Sequence, residues 1–113
     1  MRHFGAGLAA LDLTPEVEGE GRMWRFLGIQ AKNRREWGIS YMGNITNNGT
    51  AVALYDTLGI EASKFVINQT GLSTIACQGD LVSKIIDMKI EDLADGDNQK
   101  LGCFKNIITF DEL

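Results

Sequence analysis

The sequence holds 113 residues, 44% of them apolar, with a formal net charge of -4 and a pI of about 4.9. That size fits one domain, 1–113, with one core and little room for a second. The acidic balance excludes a partner gripped mainly through phosphates, because the densest basic cluster, Lys32, Arg34 and Arg35, already ends on Glu36, so no nucleic acid is expected. No run approaches the roughly 20 apolar residues of a membrane span, so no transmembrane segment is expected.

In chain order, Phe4, Leu8 and Leu11 at spacings of four and three predict a short helix over 2–13, weakened by Gly5 and Gly7. Residues 14–21 (TPEVEGEG) read as an acidic, glycine-punctuated loop. The apolar run from Met23 to Ala31 suits a strand covered on both faces. Asn33 is the expected N-cap of the next helix, with Glu36 reaching back as in a capping box. Trp37, Tyr41 and Ile45 would then lay one face of that helix on a sheet, ending near Asn47-Asn48-Gly49.

Thr50 to Tyr55 reads as a second buried strand, and Asp56 or Thr57 as the cap of a helix on which Leu58, Ala62, Phe65, Val66 and Gln69 share a face. Gly71 sits where a left-handed helix end is expected. A third strand, 72–77, leads to an N-cap at Asp80 and a helix with a wide apolar arc: Leu81, Val82, Ile85, Ile86, Met88 and Ile90. An arc that wide implies packing on more than one neighbour. Asp95 to Asn98 is a turn, and Phe104 to Phe110 is the last strand. The alternation predicts an α/β fold: three right-handed crossovers and a partial, Rossmann-like parallel sheet of about four strands. Two sheet edges would stay open, which implies a missing partner surface.

The chemistry-bearing residues are sparse. Cys77 and Cys103 form no metal pattern, since His3 is the only imidazole, and they read as free thiols in a reducing compartment. The sequons at Asn44, Asn48 and Asn68 would matter only after secretion, and the N-terminus lacks a signal-peptide pattern, so they read as turn and helix-end residues. Gly5-Ala6-Gly7-Leu8-Ala9-Ala10 fits a dinucleotide fingerprint by letters but lacks the preceding strand that the motif needs. Glu91, Asp92, Asp95 and Asp97 lack calcium-loop spacing and read as a solvated turn. Tyr55-Asp56-Thr57 lies where α/β sheets bind ligands, although a helix cap explains the same residues. No catalytic, cofactor-binding or metal residue is assigned.

"GIQAKNRREW" (Gly28 to Trp37) and "ALYDTLGIEASKFVINQTG" (Ala53 to Gly71) resemble the N-terminal region of long-chain acyl-CoA synthetases (long-chain-fatty-acid–CoA ligases), AMP-forming adenylate-forming enzymes. Those proteins carry G-I-x-x-x-N-R-P-E-W and then P-L-Y-D-T-L-G-x-E-A. "GAGLAALDLTPE" and "FKNIITFDEL" are similar to flanking stretches of the same region, so the resemblance spans nearly the whole chain. Arg35 and Ala53 replace family prolines; a proline at the helix start would pre-set φ there, so Arg35 gives up a little rigidity.

The resemblance implies ATP, magnesium and CoA as cofactors of a complete ligase that activates a fatty acid through an acyl-adenylate. The family's T-S-G-T-T-G-x-P-K-G phosphate loop and its C-terminal lysine domain are absent from these residues, so none of those cofactors is expected for this chain alone. The expected role is a truncated, non-catalytic structural or accessory subunit docked on other protein chains. The alternatives are part of a split ligase, which would meet fatty acid or acyl-CoA only when completed by other polypeptides, and a small-ligand Rossmann-like module. An intracellular site, cytoplasmic or organelle-associated, is expected.

Overall fold

The computed structural model describes residues 2–55, 57–96 and 99–111. Its elements run α1 (Arg2–Ala10), β1 (Glu16–Gly19), β2 (Arg22–Gln30), α2 (Arg35–Thr46), β3 (Thr50–Leu54), α3 (Ile60–Thr70), β4 (Thr74–Cys77), a 3-10 turn (Gly79–Leu81), α4 (Val82–Ala94) and β5 (Asn106–Thr109). The expected α/β alternation with four parallel strands is present, in the order β3-β2-β4-β5. A fifth strand, β1, is added antiparallel to the first half of β2.

That fifth strand corrects the reading of 14–21 as a loop. Glu16 and Glu18 are exposed and Val17 is half-buried, a period-two pattern, and the two residues Glu20-Gly21 turn the chain with φ of 52° and 76°. Positive φ at both central residues is what a tight hairpin needs. Glutamate pays a steric penalty there, so the letters Glu-Gly gave a weaker hairpin signal than Asn-Gly would.

Crossovers from β2 to β3 and from β3 to β4 run in opposite directions across the sheet, so right-handed connections put α2 on one face and α3 and α4 on the other. The core divides accordingly. Leu54, Ile67, Leu72, Ile75, Cys77, Val82, Ile85 and Met88 are packed with α3 and α4. Leu8, Leu27, Ile29 and Ala76 form the other core with Trp37 and Phe110 against them. Each of the four parallel strands supplies both cores alternately, as the pleat requires.

Gly71 ends α3 in the left-handed conformation, φ 67°, which glycine enters without a Cβ clash. The expected caps do not form. Arg34, not Asn33, is the N-cap of α2, and Glu36 bonds to the Arg34 side chain instead of the Asn33 amide. α3 starts at Ile60 after Gly59, so Thr57 caps nothing, and Asp56 lies outside the described residues. Asp80 sits inside the 3-10 turn, and α4 begins two residues later.

Two helix faces are also corrected. α2 buries Ser40, Gly43 and Asn44 and leaves Tyr41, Met42 and Ile45 exposed. α3 buries Ser63 and Ile67 while Ala62, Phe65 and Gln69 face outward. Small residues allow α2 to approach its neighbours closely: a Cβ on Gly5 of α1 would run into the Thr46 hydroxyl and the Gly43 carbonyl.

Candidate functional site

Ligands of open α/β sheets bind beyond the carboxyl ends of the strands, where neighbouring crossovers leave on opposite faces. Here that point lies between β2 and β4, and the segments that follow both strands meet there. Gln78, buried at the end of β4, accepts a hydrogen bond from the Lys32 backbone N–H at 2.7 Å and donates from Nε2 to Asp80 Oδ1 at 2.6 Å. Gln30, the last residue of β2, donates from Nε2 to the Tyr55 carbonyl at 3.2 Å. The ends of β2, β3 and β4 are thereby held by two buried glutamines.

Beyond them lies an ionic clasp. Arg34 forks onto Asp111, with Nη2 to Oδ1 at 3.0 Å and Nη1 to Oδ2 at 3.2 Å, and onto Glu36, with Nε to Oε2 at 3.0 Å and Nη2 to Oε1 at 3.1 Å. Asp111 Oδ2 also accepts the Gly79 N–H at 2.8 Å. The guanidinium lies 5.7 Å from the centroid of Phe110, a cation–π distance.

Hydrogen bonds from Arg34 hold both carboxyls below their usual range, with the Gly79 N–H adding to the effect at Asp111. The two carboxylates in turn raise the Arg34 guanidinium, Glu36 first and Asp111 second. Burial pushes the nearby Cys77 thiol up to about 11, with the negative charges of Asp80 and Asp111 adding to it. A thiol so raised is a poor nucleophile at neutral pH. This edge is a latch: charge-assisted bonds join the segments that follow β4 and β5 to the start of α2.

The other residues singled out in the sequence are scattered. Gly5 and Gly7 lie inside α1, with no strand before them among the described residues, and Gly5 serves the α1–α2 contact. Tyr55 follows β3 with its side chain 72% exposed, and Thr57 is exposed too. Asp92 is buried and accepts the Lys100 and Leu101 N–H groups at 2.7 and 3.1 Å, so it closes the turn after α4. Asp97 lies outside the described residues. No group of three or more potential metal ligands occurs among the described residues.

Cys77 and Cys103 are free, the first buried and the second half-buried. Asn44 is fully buried, and Asn48 and Asn68 are exposed. No described helix is long and apolar enough to cross a membrane. The Arg34–Asp111 clasp was not legible in the sequence, because its partners are 77 positions apart and no local spacing joins them.

No protein-family model matches the chain. Among curated proteins, it is 49% identical over 53 residues to the long-chain-fatty-acid–CoA ligase 5 of Rattus norvegicus, a match covering 47% of this chain and 8% of that protein. It is 40% identical over 62 residues to fatty acyl-CoA synthetase A of Dictyostelium discoideum, 55% of this chain and 9% of that one. Against fatty acyl-CoA synthetase B of the same organism it is 28% identical over 107 residues, 95% of this chain and 13% of the other. The chain thus spans about a tenth of the length of these relatives.

Among solved structures, the inhibitor-bound N-terminal domain of FACL13 from Mycobacterium tuberculosis superposes with a TM-score of 0.68 at 17% identity. That match covers 96% of this chain and 24% of the other, and it shows a shared fold. In sequence the chain resembles a segment of the long-chain acyl-CoA ligases, and in fold part of such an N-terminal domain.

Proposed function

We propose that this chain is a structural, non-catalytic building block of a long-chain acyl-CoA ligase assembly, with the phosphate-binding loop and catalytic groups supplied by residues beyond these 113. The observation that carries the reading is the 49% identity over 53 residues to a long-chain-fatty-acid–CoA ligase, in a chain spanning about a tenth of its relatives. The carboxyl edge supports it. ATP phosphates need free backbone N–H groups and a cation, whereas here the Gly79 N–H is given to Asp111 and the Arg34 fork is filled by two carboxylates. These residues do not form a phosphate cradle, so no step of fatty-acid activation is routed through them.

The test is palmitoyl-CoA formation from palmitate, ATP, magnesium and CoA. The purified chain is expected to stay at background. Co-expression with a related long-chain ligase lacking its matching segment is expected to restore turnover. Ligase turnover by the 113 residues alone would refute the reading, and stable association without turnover would narrow it to an accessory subunit.

A further inference from the structure

α2 ends on Asn48-Gly49, the one asparagine–glycine pair in the sequence. The helix closes there in two nested bonds: the Gly49 N–H donates to the Asn44 carbonyl and the Asn48 N–H to the Ile45 carbonyl, both at 2.9 Å. That is the Schellman pairing, with Asn48 in the left-handed position at φ 57°. Asparagine enters that region more readily than most residues bearing a Cβ. Gly49 is fixed by packing, since a Cβ there would run into the side-chain amide of Asn44, which is fully buried. The fold thus calls for both letters of the pair.

An asparagine followed by glycine is open to attack by its own backbone, because no Cβ on the next residue shields the amide nitrogen. The Gly49 nitrogen gives up its proton to solvent base and bonds to Asn48 Cγ. The Cγ–Nδ2 bond breaks, and Nδ2 takes a proton from water and leaves as ammonia. Water then opens the cyclic imide at one of its two carbonyls. Attack at Cγ leaves aspartate, and attack at the backbone carbonyl leaves isoaspartate, whose main chain runs through the side-chain methylene. Nothing is oxidised, and water is the only co-reactant. The electrophile is accessible: the Asn48 side chain is exposed, whereas the neighbouring Asn47 ties its amide to the Thr14 hydroxyl at 3.1 Å. What the folded chain withholds is the nucleophile, because the Gly49 N–H is engaged by the Asn44 carbonyl and the residue is half-buried.

We propose that Asn48 is a site of spontaneous deamidation, gated by the hydrogen bond that closes the end of α2. The reaction waits until that turn opens, and each event adds a negative charge to a chain whose net charge is already -4. The new carboxylate stands at the negative end of the α2 dipole. Isoaspartate also inserts a methylene into the backbone just ahead of Thr50, the first residue of β3, which is in register with Phe26 of β2. Both products oppose the native turn, so a deamidated chain closes it less well than its parent. The site lies inside the chain, between α2 and β3, and the inference is independent of the ligase reading.

The test incubates the whole chain at mildly alkaline pH, folded in buffer and unfolded in guanidinium chloride. Peptide mapping by mass spectrometry then separates asparagine, aspartate and isoaspartate at each position. In the unfolded chain, conversion at Asn48 is expected to outpace that at every other asparagine. In the folded chain it is expected to run slower by about tenfold or more, because the turn must open first. At denaturant concentrations below the unfolding transition, the rate is expected to rise in step with exchange of the Gly49 amide, read by NMR, since both need the same bond to break. Asn48→Gly is expected to keep the fold, glycine entering the left-handed region without strain, and to lose the acidic product. Equal rates in the folded and unfolded chain, a rate that ignores Gly49 amide exchange, or an unfolded chain that keeps Asn48 intact would each overturn the proposal.

Discussion

At the scale of single residues the ionisable groups make two expectations. Glu36 and Asp111 titrate below their usual range because Arg34 bonds to their charged forms. A carboxyl lowered by folding contributes stability above its unfolded pKa of about 4, and that contribution is lost as pH falls through the folded value. The Tm of the chain should therefore drop on acidification below about pH 5. Arg34→Gln should lower Tm at pH 7 and flatten that acid limb, since both carboxylates then titrate nearer their ordinary values. Parallel Tm–pH curves for the two proteins would refute the clasp. The thiols give the second expectation: Cys77 is buried and pushed up to about 11, and Cys103 is half-buried and raised mainly by its own burial. A thiol-labelling reagent at pH 7.5 should modify Cys103 first and reach Cys77 only when the chain opens. The free thiols were legible in the sequence, whereas the shift at Asp111 was not, because Arg34 and Asp111 lie 77 positions apart.

At the scale of elements the sequence was most legible where period and topology agree. β2, with its apolar run on both faces, and α4, with Val82, Ile85 and Met88 at helical spacing, lie as expected. It was least legible where small and polar residues do the packing. In α2 only Trp37 of the expected face packs on the core, while Tyr41 and Ile45 gave way to Ser40, Gly43 and Asn44, because close approach of α1 favours small residues over large ones. The two glycines of α1 test this. A methyl on Gly5 would meet Thr46 and the Gly43 backbone, whereas one on Gly7 would meet nothing within 4 Å. Gly5→Ala should cost about 1–3 kcal/mol by overpacking. Gly7→Ala should stabilise by about 0.4–1 kcal/mol, because alanine narrows the unfolded ensemble. Urea unfolding measures both, and equal effects would undo the α1–α2 contact and reopen the fingerprint reading. The Ser40 hydroxyl is buried without a hydrogen-bond partner. Ser40→Ala should be neutral or stabilising, since it removes a desolvated polar group.

At the scale of the whole molecule, two cores raise the question of whether they can fail separately. Ile75 and Cys77 belong to one core and Ala76, between them, to the other. β2 is divided in the same way: Leu27 and Ile29 lie in the core with α1 and α2, and Phe26 packs on the opposite side. Losing either helical layer thus exposes one face of strands that the other layer still needs, and the shared backbone ladder couples the two. Small domains built this way unfold in one step. Trp37 packs against the α1–α2 core, and Cys77 is wholly buried in the other, so each side carries its own reporter. In a Trp24→Phe, Cys103→Ser background, Trp37 fluorescence and Cys77 labelling should give the same urea midpoint, with a slope of about 1–3 kcal/mol/M. If Cys77 became reactive at clearly lower urea than Trp37 responded, the α3–α4 layer would be opening alone.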